Sequence, residues 1–137
     1  MKEYFSKTGE LLHVVKRFKD VKAQKDFRED IISADQHIQC SSLKMENGHT
    51  FRPHKHILKA GPEIVRAQES WVVIKGHVKC YFYDLDNTLL GVAVLSPGDV
   101  SFTLNGGHTY EILEDDTIVY EYKTGPYEGQ ALDKEFI

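Results

Sequence analysis

The sequence has few of the features that mark secreted, membrane or nucleic-acid-binding proteins. It contains two cysteines, Cys40 and Cys80, which are too few for a disulfide framework. No apolar run approaches the roughly 18 residues of a membrane-spanning helix, and the first ten residues lack the apolar core of a signal peptide. With 17 basic against 21 acidic residues and a net charge of −4, a phosphate-binding surface is not expected. We therefore expect a cytoplasmic protein without a nucleic-acid or membrane partner.

Length and composition predict one globular domain. The 137 residues include only 14 glycines and prolines, which is too few for a low-complexity chain. A chain of this size buries about two thirds of its unfolded surface without needing disulfides or a structural metal. We predict a single domain over 1–137, with a core at about 37–122, an N-terminal extension at 1–36 and a tail at 123–137.

Short apolar runs separated by turn residues are the most regular pattern in the chain. From residue 37 onward they indicate about eight strands, with turn signals every 8–12 residues. This pattern favours an all-β sandwich or barrel. Segment 19–30 is highly charged and is interpreted as a loop or a short surface helix. The predicted strands are 38–45, 50–58, 70–74, 78–83, 89–95, 100–104, 109–113 and 118–122.

Two histidines stand out among the seven in the chain. His54 and His56 are two residues apart, so on a strand both side chains point to the same face. Imidazoles placed in this way can converge on one metal ion. Glu69 and His108 occur near the starts of later predicted strands and would complete a site of three histidines and one carboxylate. Nitrogen and oxygen donors without thiolate suit Fe(II), Mn, Ni, Co or Zn. Taken singly, each histidine remains more typical of a surface or core position.

The spacing of these residues resembles that of the cupin superfamily. Gly48 is followed by five residues and then by the His54-x-His56 pair, and Glu69 is followed by six residues and then by Gly76. In a second motif, five residues lie between Gly91 and Pro97, and His108 follows further on. The segments RPHKH and ESWVVIKG, together with the ending VYEYKTGPYEG, are most similar to WbuC-type cupin-fold metalloproteins of polysaccharide gene clusters.

This resemblance implies a small cupin, a double-stranded β-helix or jelly-roll barrel. It implies that one divalent transition metal (Fe, Zn, Mn or Ni) is held by His54, His56, Glu69 and His108. It also implies a small-molecule ligand, such as a sugar or sugar nucleotide, and a homodimer. Small cupins often dimerise by strand exchange or sheet packing.

The sequence departs from the cupin pattern at the carboxylate. Twelve residues separate His56 from Glu69, where the general motif has three or four. Gln68 or Glu63 could therefore replace Glu69 in the site. The turn Ser96-Pro97-Gly98-Asp99 also lacks the middle residue of the usual P-x-G, and no Asn follows three residues after His108.

Four further residues are candidates for binding a substrate. Arg52 shares strand parity with the two histidines and could clamp a carboxylate or phosphate, although a salt bridge at the rim is an equal alternative. Trp71 shares parity with Glu69 and could line the cavity or serve as ordinary barrel packing. Tyr81 and Tyr83 alternate with Cys80 and Phe82, so either pair could face inward.

These residues lead to three hypotheses about function. The first is a metal-dependent isomerase or epimerase, in which the metal polarises a carbonyl or hydroxyl and Glu69, if it is not a ligand, acts as the catalytic base. The second is a non-haem Fe(II) oxygenase. The third is a non-catalytic binding or sensor protein, since one fold supports many activities.

Overall fold

The computed structural model describes residues 1–59 and 65–137 and confirms an all-β fold. Fourteen strands and two short helical segments are described within these ranges. The elements in chain order are β1 Lys2–Phe5, β2 Leu11–Val15, α1 Phe18–Ala23, β3 Arg28–Asp30, β4 Ile38–Met45, β5 His54–His56, β6 Leu58–Lys59, β7 Val65–Arg66, β8 Glu69–Lys75, β9 Val78–Tyr83, β10 Leu89–Leu95, β11 Val100–Thr103, β12 Gly107–Ile112, β13 Thr117–Thr124, a 3-10 turn Gln130–Leu132 and β14 Lys134–Phe136.

Two five-stranded sheets form the body of the molecule. The first has the strand order β10-β9-β12-β5-β14 and the second the order β11-β8-β13-β4-β3. All the pairings within these sheets are antiparallel. Two small ribbons, β1-β2 and β6-β7, make separate two-stranded sheets. Each large sheet also pairs strands far apart in sequence, such as β5 with β14 and β4 with β13, as expected of a barrel built by crossing connections.

The hydrophobic core draws side chains from both large sheets. The strands β4, β8 and β13 of one sheet and β9 and β12 of the other all contribute to it. Full burial of one Val, Leu, Ile or Met side chain contributes roughly 1.5–3 kcal/mol to the free energy of unfolding. The buried cluster consists of Leu43, Met45, Trp71, Val73, Val78, Cys80, Tyr110, Ile112 and Val119.

The terminal segments also take part in the two large sheets. Segment 19–30, interpreted from sequence as a loop or a short surface helix, contains all but the first residue of α1 and all of β3, which pairs with β4. β14 lies in the predicted tail and pairs with β5, the strand that carries His54 and His56. The tail therefore borders the predicted site directly.

Two further observations bear on the sequence interpretation. Cys40 and Cys80 are both buried and both free, in line with the expectation that two cysteines form no disulfide framework. Within the described ranges, no helix has the length and apolarity needed to span a bilayer.

Candidate metal centre

Four buried side chains from three strands meet between the two large sheets. His54 and His56 lie on β5, and His108 lies on the neighbouring strand β12 as the direct cross-strand partner of His54. Glu69 begins β8 in the opposite sheet. One nitrogen or oxygen atom from each of the four lies within 4.8 Å of the others. The structure thus brings together all four residues predicted as ligands.

The distances within this group match those of ligands around one ion. The Nε2 atoms of His54 and His108 are 3.0 Å apart, and Nε2 of His56 is 3.0 Å from Oε2 of Glu69. Nε2 of His108 is 3.5 Å from Oε1 of Glu69. Two ligands at right angles, each about 2.1 Å from a metal, lie about 3.0 Å apart. The donor set and its spacing therefore fit a divalent transition metal.

In each of the three histidines, the ring nitrogen Nδ1, which points away from the group, lies against a polar atom that orients the ring. Nδ1 of His54 donates to the Arg52 carbonyl at 3.0 Å, and Nδ1 of His108 is hydrogen-bonded to the Thr103 hydroxyl at 2.6 Å. Nδ1 of His56 is 3.3 Å from Oδ2 of Asp133. Such partners fix the ring orientation of metal-bound histidines and raise their basicity. All three Nε2 atoms consequently face the group.

His56 has the least satisfied side chain of the four. Both of its ring nitrogens are buried, and neither makes a hydrogen bond of good geometry with the residues described. Buried polar atoms of this kind call for a partner, and a metal ion at Nε2 would supply one. Nε2 of His56 thus lies 3.0 Å from Glu69 without a hydrogen bond of good geometry, an arrangement that suits two ligands of one metal ion.

Burial and the neighbouring charges set the protonation states of the four residues. Burial acts to raise the pKa of Glu69, but His108 and His56 outweigh it and hold that pKa at about 2. Burial lowers the pKa of His108 to about 4. Burial also acts to lower the pKa of His56, but Asp133 and Glu69 raise it to about 9. Without a metal the group thus holds one carboxylate and one imidazolium at neutral pH, and a cation must displace the proton on His56.

The structure decides between Glu69 and Gln68 for the carboxylate position. The side chain of Gln68 is exposed, and its Nε2 donates to the Leu104 carbonyl at 3.4 Å. Glu63 lies outside the described residues. Among the residues described, Glu69 is the carboxylate that joins the three histidines in the converging group, whereas Asp133 lies at the Nδ1 side of His56.

The predicted substrate-binding residues fall in different places. Trp71 is buried in the wall of a cavity that also reaches His54 and Glu69. Tyr81 and Tyr83 do not line this cavity, because Cys80 and Phe82 are the residues of β9 that pack on the core. The Tyr81 hydroxyl instead donates to Glu111 at 2.8 Å. Of the two alternations left open by the sequence, the structure has Cys80 and Phe82 inward.

Arg52 also lies away from the four-residue group. Its side chain is exposed, and its guanidinium carbon lies 4.2 Å from the centre of the Phe136 ring. The parity argument fails here because β5 begins only at His54, after Pro53, so Arg52 does not share the strand. Its contribution to the group is its backbone carbonyl, which accepts from His54.

The sequence analysis missed several residues that border the site. Asp133 is almost fully buried beside His56, and Thr103 contacts His108. Glu121 accepts a hydrogen bond from Nε1 of Trp71 at 3.0 Å and pairs with Arg28 at 3.0 Å. No sequence signal marks Asp133, because it precedes a three-residue strand whose partner lies almost eighty positions earlier.

Comparisons with known proteins identify the fold. No protein-family model matches the chain, and no curated protein sequence matches it. Among solved structures, KdgF from Halomonas sp. has a TM-score of 0.55 and 20% identity, over 74% of this chain and 79% of that one. CapF from Staphylococcus aureus, a capsular polysaccharide assembling protein, has a TM-score of 0.66 and 16% identity. That match covers 96% of this chain and 36% of CapF, so the chain spans about a third of CapF.

A third similar structure contains a double-stranded β-helix domain. An uncharacterised conserved protein with a double-stranded β-helix domain, from Klebsiella pneumoniae, has a TM-score of 0.58 and 14% identity. The match covers 80% of this chain and 76% of that protein. At these identities the likeness concerns the fold. The protein has the double-stranded β-helix fold of the cupins.

Proposed function

We propose that this protein is a metal-binding cupin that binds or converts a small polar molecule, a sugar or sugar nucleotide of surface-polysaccharide metabolism. The observation that carries the proposal is the meeting of His54, His56, Glu69 and His108 around one point. A site of three imidazoles and one carboxylate leaves further coordination positions open to a ligand. The cavity at His54 and Glu69 gives a small molecule access to that point.

Each side chain has a role in this proposal. The three imidazoles bind the ion through Nε2, and their outer partners hold them in that orientation. Glu69 acts as the fourth ligand, since a pKa near 2 keeps it ionised and makes it a weak general base. Trp71 forms part of the wall against which the small molecule packs. A bound divalent ion would supply Lewis acidity toward a carbonyl or hydroxyl.

The polysaccharide setting rests on two likenesses. The sequence resembles WbuC-type proteins, and the fold resembles CapF, which is named for capsular polysaccharide assembly. The proposal takes 1–137 as one domain, since β3 and β14 from the terminal segments join the two large sheets. It also takes the protein as cytoplasmic, which suits two free cysteines, and as homodimeric.

Elemental analysis of untagged protein tests the proposal. We expect about one transition-metal ion per chain in the parent and none in the His54→Ala/His56→Ala double variant. The matched control is His13→Ala/His37→Ala, which removes two exposed imidazoles outside the group and should keep the metal. A parent that stays metal-free after reloading would contradict the proposal.

The identity of the metal discriminates between the reaction classes. Iron, together with oxygen uptake in the presence of a substrate, would favour an oxygenase. Zinc, nickel or manganese would favour Lewis-acid chemistry or ligand binding without turnover.

A further inference from the structure

The cavity beside the metal centre is enclosed by charged side chains that the proposed metal site does not use. It has a volume of about 230 Å³. Its lining reaches His54 and Glu69 on one side and includes three cationic side chains, Arg28, Lys123 and Lys134. Positive charges that line a cavity select for negatively charged ligands, unless carboxylates of the protein already neutralise them.

Two of the three cations already contact carboxylates of the protein. Arg28 pairs with Glu121 at 3.0 Å and with Asp30 at 2.9 Å. Nζ of Lys123 lies 3.5 Å from Oδ2 of Asp133 and 4.0 Å from the centre of the Tyr127 ring. These contacts hold Arg28 and Lys123 in place as parts of the cavity wall.

Lys134 differs from the other two. It begins β14 opposite His56, and among the described residues no carboxylate oxygen lies within 4.0 Å of its Nζ. It is partly buried in the cavity wall. It lines the same cavity as the proposed ligands His54 and Glu69. A partly buried ammonium that lines a cavity, with no carboxylate partner among the described residues, can bind an anion there.

We infer that the cavity takes a small anionic molecule whose carboxylate or phosphate group binds Lys134 beside the metal. This inference rests on the proposed function and narrows its substrate class. A divalent ion carries more positive charge than Glu69 neutralises, so Lys134 and the ion together attract an anion. The stacked rings of Trp71 and Tyr110, 3.7 Å apart, form an apolar wall for the rest of the molecule.

Three six-carbon probes that differ at one end test the inference. Gluconate carries a carboxylate, sorbitol 6-phosphate carries a phosphate, and sorbitol is neutral. Each is titrated into Co(II)-loaded protein and into metal-free protein by calorimetry, and the metal content of every sample is measured. The variants are Lys134→Met and Lys134→Arg. The matched control is Lys55→Met, which removes a neighbouring lysine whose Nζ donates to the Leu85 carbonyl at 3.1 Å.

We expect at least one anionic probe to bind the wild-type protein at least about tenfold more tightly than sorbitol, the effect of one charge-assisted contact. Lys134→Met should abolish this preference at unchanged metal content, while Lys134→Arg and Lys55→Met keep it. The probe that binds names the carboxylate or the phosphate as the recognised group. Equal binding of sorbitol, binding of no anion, or a preference that survives in Lys134→Met would overturn the inference.

The two proposals can fail separately in this experiment. Absence of metal from the wild-type samples would contradict the metal site. The titrations of metal-free protein would then still decide whether Lys134 selects an anion.

Discussion

The Nε2 atoms of His54 and His108 face each other at 3.0 Å across the neighbouring strands β5 and β12. A neutral imidazole whose Nδ1 carries the hydrogen presents a lone pair at Nε2, as His54 does here. Two such nitrogens in contact need either a hydrogen or a cation between them. A metal ion bound between these two nitrogens is therefore expected to stabilise the folded protein.

Adding metal should stabilise the folded protein. At a free Zn²⁺ concentration about 100 times the Kd, the free energy of unfolding should rise by about 2.7 kcal/mol. For a chain of this length this corresponds to a rise in Tm of roughly 10 °C, measurable by calorimetry. His108→Ala should lose most of the rise, while His77→Ala, at an exposed position outside the group, should keep it. An equal rise in both variants would contradict the assignment of His108.

Asp133 should tune the affinity for metal without binding it. Replacing Asp133 with Asn removes the negative charge beside Nδ1 of His56, and we expect a loss of roughly 10–100-fold in metal affinity, measured by competition with a chelator. The control is Glu135→Gln, an exposed carboxylate two residues further along. Wild-type affinity in Asp133→Asn, or an equal loss in Glu135→Gln, would contradict this role.

Gly76 is required by the backbone between β8 and β9. Its φ is +82°, a conformation that other residues rarely adopt, and an added Cβ would lie 2.9 Å from Cα of Thr117. We therefore expect Gly76→Ala to lower the free energy of unfolding by roughly 1–3 kcal/mol or more. Gly91→Ala, where a Cβ meets no atom within 4 Å, should change it by less than about 0.5 kcal/mol in the same urea titration.

If the proposed homodimer forms, we expect the edge strand β10 to be part of its interface. Its outer face carries Leu90, Val92 and Val94, which are 67%, 45% and 55% exposed. A long apolar edge strand of this kind invites pairing with another chain. We expect a homodimer by light scattering and a monomer for Val92→Lys/Val94→Lys.

A matched pair of substitutions on β11, an edge strand of the other large sheet, serves as the control. Val100→Lys/Phe102→Lys changes exposed apolar residues of β11 and should leave the dimer intact. A monomeric wild-type protein, or dissociation by the β11 pair alone, would contradict an interface at β10.

The thiol of Cys80 should be inert in the folded protein. Burial raises its pKa to about 12, so at pH 8 it is protonated as well as inaccessible. In wild-type protein at pH 8 we expect slow reaction of both thiols with a disulfide reagent, and in Cys40→Ala almost none until the protein is unfolded. Rapid labelling of Cys80 in folded Cys40→Ala would contradict this.

The sequence predicts those parts of the fold that local alternation determines. The bounds of β4, β9 and β10 agree with the predicted 38–45, 78–83 and 89–95, because each is an alternating or apolar segment that ends at turn residues. His54 and His56 were identifiable because a spacing of two residues places both on one face of a strand. Pairing between strands far apart in sequence could not be predicted from local alternation. The clearest case is β14, a short charged strand that pairs with β5.

For β9, the sequence left open which face of the strand points into the core. In β9 both alternations contain apolar or aromatic residues, so sequence parity could not tell whether Tyr81 or Phe82 faces inward. Only the packing of Phe82 against the core resolves it. At Arg52 the parity was clear, but the strand to which it applied starts two residues later.

Trp71 provides an intrinsic fluorescence signal from the cavity wall. It is the single tryptophan of the chain, and its ring is stacked on Tyr110 and anchored through Nε1 to Glu121 in the cavity wall. Its fluorescence therefore originates at the cavity. Quenching by a transition ion, or a shift in emission as a ligand replaces water, can be followed on the natural protein without an attached dye.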